Sequence, residues 1–308
     1  MVIAIIFILI ISIILAGSLF AYFFVFFAPK RVSEKEYVLP QGEQYECRHP
    51  NIVKSINEML SVPYEEVYIT SHDGQRLFAR YFHVKDNAPT QIQFHGYKSN
   101  ALIDFCGGCN LARKMEHNAL VVDQRSHGKS EGFTISFGIK ERRDVLSWIE
   151  YCLDRFGSEI PIILCGLSMG AATVLMATDL DLPDNVKGII ADCPYSSPKA
   201  IIQKVGKDMH LAPRLTYPFV QLAALLFGHF NLEESAPVTA VSQTDIPILL
   251  FHGEDDRFVP CEMSKEIKAA CASPITLELI PQAGHGLSYM LEPTRYEAAT
   301  IRFIQSIL

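Results

Sequence analysis

Residues 162–175 read Ile162-Ile163-Leu164-Cys165-Gly166-Leu167-Ser168-Met169-Gly170-Ala171-Ala172-Thr173-Val174-Leu175. The first four are apolar without alternation, as a strand buried on both faces should be. The last five open a helix. Between them stands Gly-x-Ser-x-Gly. A serine at a sharp strand-to-helix turn holds its hydroxyl up from the sheet, and small neighbours let strand and helix approach. The pattern alone is weak, since at ordinary glycine usage roughly one chain in ten of this length matches by chance. A plain glycine-rich turn is the competing reading, and the surroundings decide between them.

Outward from that stretch, strand and helix signals alternate. Short β-rich runs fall at Val67–Thr70, Leu77–Phe82, Gln91–Phe94, Ala119–Val122, Ile162–Cys165, Gly188–Ala191, Ile248–Phe251 and Thr276–Ile280. Helix-length segments lie at about 101–116, 140–156, 169–180, 262–272 and 293–307. Such alternation predicts a mostly parallel sheet with helices on both faces. Ser71-His72-Asp73-Gly74 joins the first two strands as a hairpin, so the sheet starts antiparallel. Between Pro198 and Thr244 the alternation breaks. Two apolar helical patches, about 199–210 and 214–229, stand there without a strand. They read as a lid, about 199–244, over the carboxyl ends of the strands, where open α/β sheets bind ligands. The second patch carries Tyr217, Phe219, Val220, Leu222, Leu225, Leu226 and Phe227, more than one apolar stripe needs. The core, an acyl chain or lipid must cover it.

A serine hydroxyl needs a base within hydrogen-bond reach to act as a nucleophile. His285, in Gln282-Ala283-Gly284-His285-Gly286 just after the last strand, is the lead candidate. His95, His127 and His252 compete, each before a glycine where packing would explain it. The base needs an acceptor to fix its tautomer. Asp256 follows a strand, ahead of Val259-Pro260, and the order Ser168, Asp256, His285 suits a strand-turn-helix serine site. Asp255 and Asp192 are the alternatives. An oxyanion needs two N–H donors. The main chain of Met169, after the serine, and of Tyr97, after Phe94-His95-Gly96, could supply them.

Five motifs now stand in order: His95-Gly96-Tyr97, Asp123-Gln124-Arg125-Ser126-His127-Gly128-Lys129-Ser130, the serine turn, His252-Gly253-x-x-Asp256-x-x-Val259-Pro260, and Gly284-His285-Gly286. With them the chain resembles the α/β-hydrolases of the serine aminopeptidase-like, monoglyceride-lipase-like group over residues 67–308. The resemblance implies an α/β-hydrolase fold with an eight-stranded sheet and a Ser-Asp-His triad of Ser168, Asp256 and His285. Such enzymes usually carry Gly where Ser126 stands, in a segment that is structural. The same frame serves esterases, lipases, thioesterases and peptidases.

The chain has 308 residues and a net charge of −7, with no long basic run, which argues against nucleic acid as a partner. From Val2 to Phe27 no residue is charged. As a helix this run is about 39 Å long, enough to cross a hydrocarbon core of about 30 Å with tilt. A cleaved signal peptide fits poorly, because no basic region precedes the run and it exceeds the usual length of about 7–15 residues. Residues 1–28 thus read as a single transmembrane anchor, 29–65 as a linker with one short helix near Asn51–Leu60, and 66–308 as the catalytic domain. Lys30, Arg31 and Lys35 after the span place that domain on the cytoplasmic side. The eight cysteines, several in core positions, agree with a reducing compartment. Cys106-Gly107-Gly108-Cys109 lacks a second pair at zinc spacing and reads as packing at a helix start.

No cofactor and no metal is implied. The expected function is cleavage of an ester, acylglycerol or thioester through an acyl-enzyme, with a small-molecule acyl substrate and the bilayer as partners. The rivals are a serine aminopeptidase-type enzyme, with Glu233 and Glu234 to hold an amine, and a non-catalytic membrane scaffold.

Overall fold

The computed structural model describes residues 1–29 and 39–308. Eight strands form one sheet: β1 (Glu65–Thr70), β2 (Arg76–Phe82), β3 (Thr90–Phe94), β4 (Asn118–Asp123), β5 (Ile162–Leu167), β6 (Val186–Asp192), β7 (Ile248–Gly253) and β8 (Ile275–Ile280). Their order is β1-β2-β4-β3-β5-β6-β7-β8. The hairpin makes β1 antiparallel to β2, and β2 is also antiparallel to β4. The remaining pairs are parallel.

The unbroken apolar runs have their physical reason in two covered faces. Ile162 and Leu164 pack with Ile92, Leu120 and Trp148 on one face, where the helix Glu141–Phe156 lies. Ile163 and Cys165 pack with Val121, Phe105 and Ile304 on the other, under the helices Ala101–Lys114 and Pro293–Ile307. Each large apolar side chain so buried contributes about 1.5–3 kcal/mol. The edge strand β1 is mostly exposed.

The segment before β1 is not a loose tether over its described part. The helix His49–Leu60 buries Ile52, Ile56 and Met59, spaced for one face, into the Phe105 side of the core. Lys30, Arg31 and Lys35 lie outside the described residues.

One helix, Val2–Ala21 continued by a wider turn over Tyr22–Phe26, is long and apolar enough to cross a membrane. Side chains up to Ala16 are exposed, but Ser18, Ala21, Phe26 and Ala28 are buried in the folded body. Phe27 bridges to Thr134, the Ala28 N–H donates to the Phe133 carbonyl at 2.9 Å, and the Ile135 N–H to the Phe26 carbonyl at 2.8 Å.

The insertion between β6 and β7 holds the helices Pro198–Asp208 and Pro213–Ala223. The Ser197 hydroxyl caps the first by accepting the Ala200 N–H at 3.1 Å. Tyr217 and Val220 of the second are buried among Phe26, Ala28, Ile135 and Phe137. Phe219 lies against Gly17, and the rings of Phe227 and Tyr22 are 6.0 Å apart. What covers much of this apolar surface is therefore the end of the N-terminal helix, an occupant the sequence reading did not consider.

Candidate active site

Ser168 sits between β5 and the helix Met169–Met176 with φ 54° and ψ −114°, backbone that a non-glycine residue adopts only under constraint. Its N–H donates to the Asp192 carbonyl at 2.8 Å, and its carbonyl accepts from Ala172 at 2.9 Å. The flanking glycines have steric reasons. A Cβ on Gly166 would stand 2.5 Å from the Ala171 nitrogen and closer still to the Gly170 carbonyl. One on Gly170 would stand 2.5 Å from the Phe94 carbonyl carbon, closer to its oxygen, and 2.7 Å from the His95 oxygen. The turn thus rests on the strand that leads into Gly96-Tyr97.

The Ser168 Oγ lies 2.9 Å from His285 Nε2, and His285 Nδ1 lies 2.7 Å from Asp256 Oδ2. With Nδ1–H donated to Asp256, Nε2 is left to accept the serine proton. The other Asp256 oxygen accepts the N–H groups of Phe258 at 2.9 Å and Val259 at 2.8 Å. Burial alone would raise the Asp256 carboxyl. Hydrogen bonds from His252, His285 and the Val259 N–H overcome that and hold it well below the usual carboxylate value. Asp255 is exposed. Asp192 instead accepts the Ser288 hydroxyl at 2.9 Å, and burial pushes its pKa up to about 6 despite that bond.

The other three histidines are held in the frame. His95 accepts the Gln124 N–H on Nε2 at 3.1 Å and donates from Nδ1 to the Gly96 carbonyl at 2.8 Å. His127 accepts the Lys98 N–H on Nε2 at 3.0 Å and donates from Nδ1 to the Arg125 carbonyl at 2.9 Å. His252 lies 2.8 Å from the Val259 carbonyl and 2.7 Å from the Ser264 hydroxyl. Ser126, where similar enzymes usually carry Gly, has φ 66°.

Tyr97 follows a tightly held turn. The Gly96 N–H donates to the half-buried carboxyl of Asp104 at 2.7 Å, and the Lys98 N–H to His127. Burial raises the Asp104 carboxyl, opposed by His95 and the Gly96 N–H. Met169 is the first residue of its helix and is fully buried. The Tyr97 hydroxyl donates to the Val25 carbonyl at 2.6 Å, joining this turn to the end of the N-terminal helix.

A cavity of about 1030 Å³ opens from Ser168 and His285. Its apolar walls include Leu39, Ile52, Leu102, Phe105, Leu167 and Met290. No residue of 199–244 lines it; its walls include the segment before β1, the helix Ala101–Lys114, the turn at Ser168 and residues 285–296. Tyr45 of that segment donates its hydroxyl to the His285 carbonyl at 2.8 Å. Sequence periodicity gave no signal for Leu39 or Tyr45. Cys106 and Cys109 are buried free thiols, each pushed up to about 12 by burial, and Gly107 between them makes room for the Tyr289 ring. Glu233 accepts Lys199 at 2.8 Å, and Glu234 accepts Arg142 at 2.7 Å and Arg143 at 3.0 Å, so neither carboxylate stands open to an amine.

The model of one protein family, described as the alpha/beta hydrolase family, matches residues 95–299. The chain belongs to that family. Among curated relatives of this hydrolase are the uncharacterized protein YqkD of Bacillus subtilis, 24% identical over 72% of this chain and 73% of its own length, and the uncharacterized protein YfhR of Escherichia coli K12, 26% identical over 72% and 73%. Among solved structures it is similar to the Pyrococcus furiosus esterase Pf2001, with a TM-score of 0.67, 22% identity, and 88% of this chain and 98% of that one covered. It is also similar to Est1E from Butyrivibrio proteoclasticus, solved with ferulic acid bound, with a TM-score of 0.61, 22% identity, and 78% and 98% covered. At these identities the structural likeness establishes the fold.

Proposed function

We propose that this alpha/beta hydrolase is a membrane-anchored serine hydrolase that cleaves carboxylic esters, with Ser168 as nucleophile, His285 as general base and Asp256 as its orienting acid. The observation that carries the reading is the unbroken chain Ser168 Oγ–His285 Nε2 and His285 Nδ1–Asp256 Oδ2 at 2.9 and 2.7 Å, set on a strained turn at the mouth of a cavity. His285 takes the hydroxyl proton as Ser168 adds to the ester carbonyl. The N–H groups of Met169 and Tyr97 receive the oxyanion. His285 then gives its proton to the departing alcohol and later removes one from water, which releases the acid and restores the serine. The ionised Asp256 stabilises the imidazolium throughout.

Apolar cavity walls and an esterase among the structural neighbours favour an ester with an apolar acyl or alcohol part. The amine-holding role that a peptidase would require of Glu233 and Glu234 finds no support, because basic side chains already occupy both. The N-terminal helix is read as a retained anchor, since Phe26 and Ala28 at its end are buried in the body. Eight free cysteines support a cytoplasmic catalytic domain.

A fluorophosphonate should label the full chain and not Ser168→Ala. Hydrolysis of p-nitrophenyl esters should exceed that of aminoacyl anilides, with only about 10³–10⁴-fold catalysis over water left in the mutant. Equal labelling of wild type and mutant would overturn the nucleophile. Labelling without turnover on any acyl substrate would favour a scaffold.

A further inference from the structure

The helical hairpin 198–223 points the same way as the N-terminal helix. Two contacts set the direction: Phe219 lies against Gly17, and Phe227 against Tyr22. Moving toward Met1 along the N-terminal helix therefore means moving toward Pro213 along its neighbour. The small residues Gly17, Ser18 and Ala21 let the two helices approach closely. Leu215 lies one turn beyond Phe219, about 6 Å further along the axis.

The tip of this hairpin exposes several large apolar side chains. Leu215 is 71% exposed, and Met209 and Leu211 are each 45% exposed. Residues 204–215 hold Lys204, Lys207 and Arg214 against the single acid Asp208, on a chain whose net charge is −7. Exposed apolar side chains among basic ones suit a leaflet boundary, where the hydrocarbon takes the first and anionic headgroups the second.

We infer that the tip of this hairpin, residues 207–215, is a second membrane contact, inserting Leu211 and Leu215 into the leaflet entered by the N-terminal helix. The inference rests on the anchor reading above. It also gives the bilayer a path to the site. Lys204, on the first hairpin helix, donates to the Arg257 carbonyl. The adjacent Phe258 lines the cavity and meets the His285 ring edge-on at 5.1 Å. An ester substrate held in the same leaflet would reach a cavity rim already braced against lipid.

The experiment uses full-length protein in nanodiscs made with brominated phosphatidylcholine and phosphatidylserine. The single native tryptophan, Trp148, is fully buried and gives a constant background. Leu215→Trp should be quenched as strongly as Phe7→Trp within the span. Val84→Trp, at the opposite edge of the sheet, should not be quenched. Adding Lys207→Glu and Arg214→Glu should weaken the Leu215→Trp signal only when phosphatidylserine is present. If Phe7→Trp is quenched and Leu215→Trp behaves like Val84→Trp, the second contact is wrong while the anchor stands. If neither is quenched, both membrane readings fall. A Leu215→Trp signal indifferent to the two charge reversals strikes out the headgroup part. Fluorophosphonate labelling of Ser168 in every variant reports separately on the proposed chemistry, so a failure there is not confused with a failure of the membrane contact.

Discussion

Gly170→Ala sets two physical effects against each other. Gly170 lies in the first turn of a helix, and helix propensity alone favours alanine over glycine by up to about 1 kcal/mol. Sterics oppose it. The new methyl would meet the Phe94 carbonyl carbon at 2.5 Å and the His95 oxygen at 2.7 Å, both backbone atoms that no rotamer change can move. To reach ordinary contact the helix must retreat from β3 by more than about 1 Å, and overpacking of that kind costs about 1–3 kcal/mol. Sterics should therefore win. The same retreat moves Ser168 and Met169 away from Tyr97, and a misplacement of about 1 Å can cost roughly 10²-fold in rate. Gly206→Ala is the control. It also lies in a helix, but a methyl there meets nothing within 4 Å. It should stabilise by about 0.5–1 kcal/mol. The assays are thermal unfolding in detergent, where each kcal/mol moves Tm by about 2–4 °C at this size, and the rate of fluorophosphonate labelling. A Gly170→Ala protein that melts higher than wild type, or labels at the wild-type rate, would refute the claim that the turn is wedged against the end of β3.

Asp256→Asn should lower turnover by about 10⁴ by removing the acceptor that sets the His285 tautomer, while the exposed Asp255→Asn stays near wild type; steady-state kinetics on one ester compares them, and the reverse ranking would reassign the acid. Asp192 is raised to about 6 by burial, so the folded state binds its proton more tightly than the unfolded chain, at about 3.9. Stability from this group is full below about pH 4 and is lost as pH rises through 6. Asp192→Asn should then stabilise by up to about 3 kcal/mol at pH 7 and by nothing near pH 4, and urea unfolding at pH 4, 5 and 7 that showed no such convergence would contradict the buried-acid account. Cys47 is the exposed cysteine among the eight; an impermeant maleimide should miss it on intact cells and reach it after lysis, with Cys47→Ser as the blank, and strong labelling before lysis would put the catalytic domain outside.

Much of this fold is legible in the sequence because its strands are local. Each of the eight falls within two residues of where the β-rich runs place it, and the inner strands, covered on both faces, need no partner to be recognised. The serine turn is legible for a related reason: Gly166 and Gly170 mark where strand, helix and the neighbouring strand come too close for a Cβ. Ser168, His285 and Asp256 come together because each follows a parallel strand and all such ends share one edge of the sheet. Long-range docking is different. Leu39 and Tyr45 stand in a proline-containing stretch of mixed polarity, and nothing local says that they wall a cavity or reach the His285 carbonyl. The second apolar patch, about 214–229, reads as more apolar than one stripe needs. Its partners, Phe26 and Gly17, lie some 200 residues away in a segment whose own composition speaks only of lipid.

The buried end of the N-terminal helix bears on how a water-soluble form could be obtained. Cutting after Ala28 removes Phe26, whose ring meets Phe137 and Phe230 edge-on, and strips a main-chain partner from Ile135. It also takes away the Val25 carbonyl on which the Tyr97 hydroxyl rests. The shortened protein would bare Tyr217, Val220 and Phe137 to water, inviting self-association, and would relax the turn beside the serine. A cut before Ala21 discards the exposed apolar turns and keeps the plug. Activity lost on trimming at residue 28 but kept on trimming at residue 20 would then measure the plug, with no bearing on whether the enzyme needs a membrane.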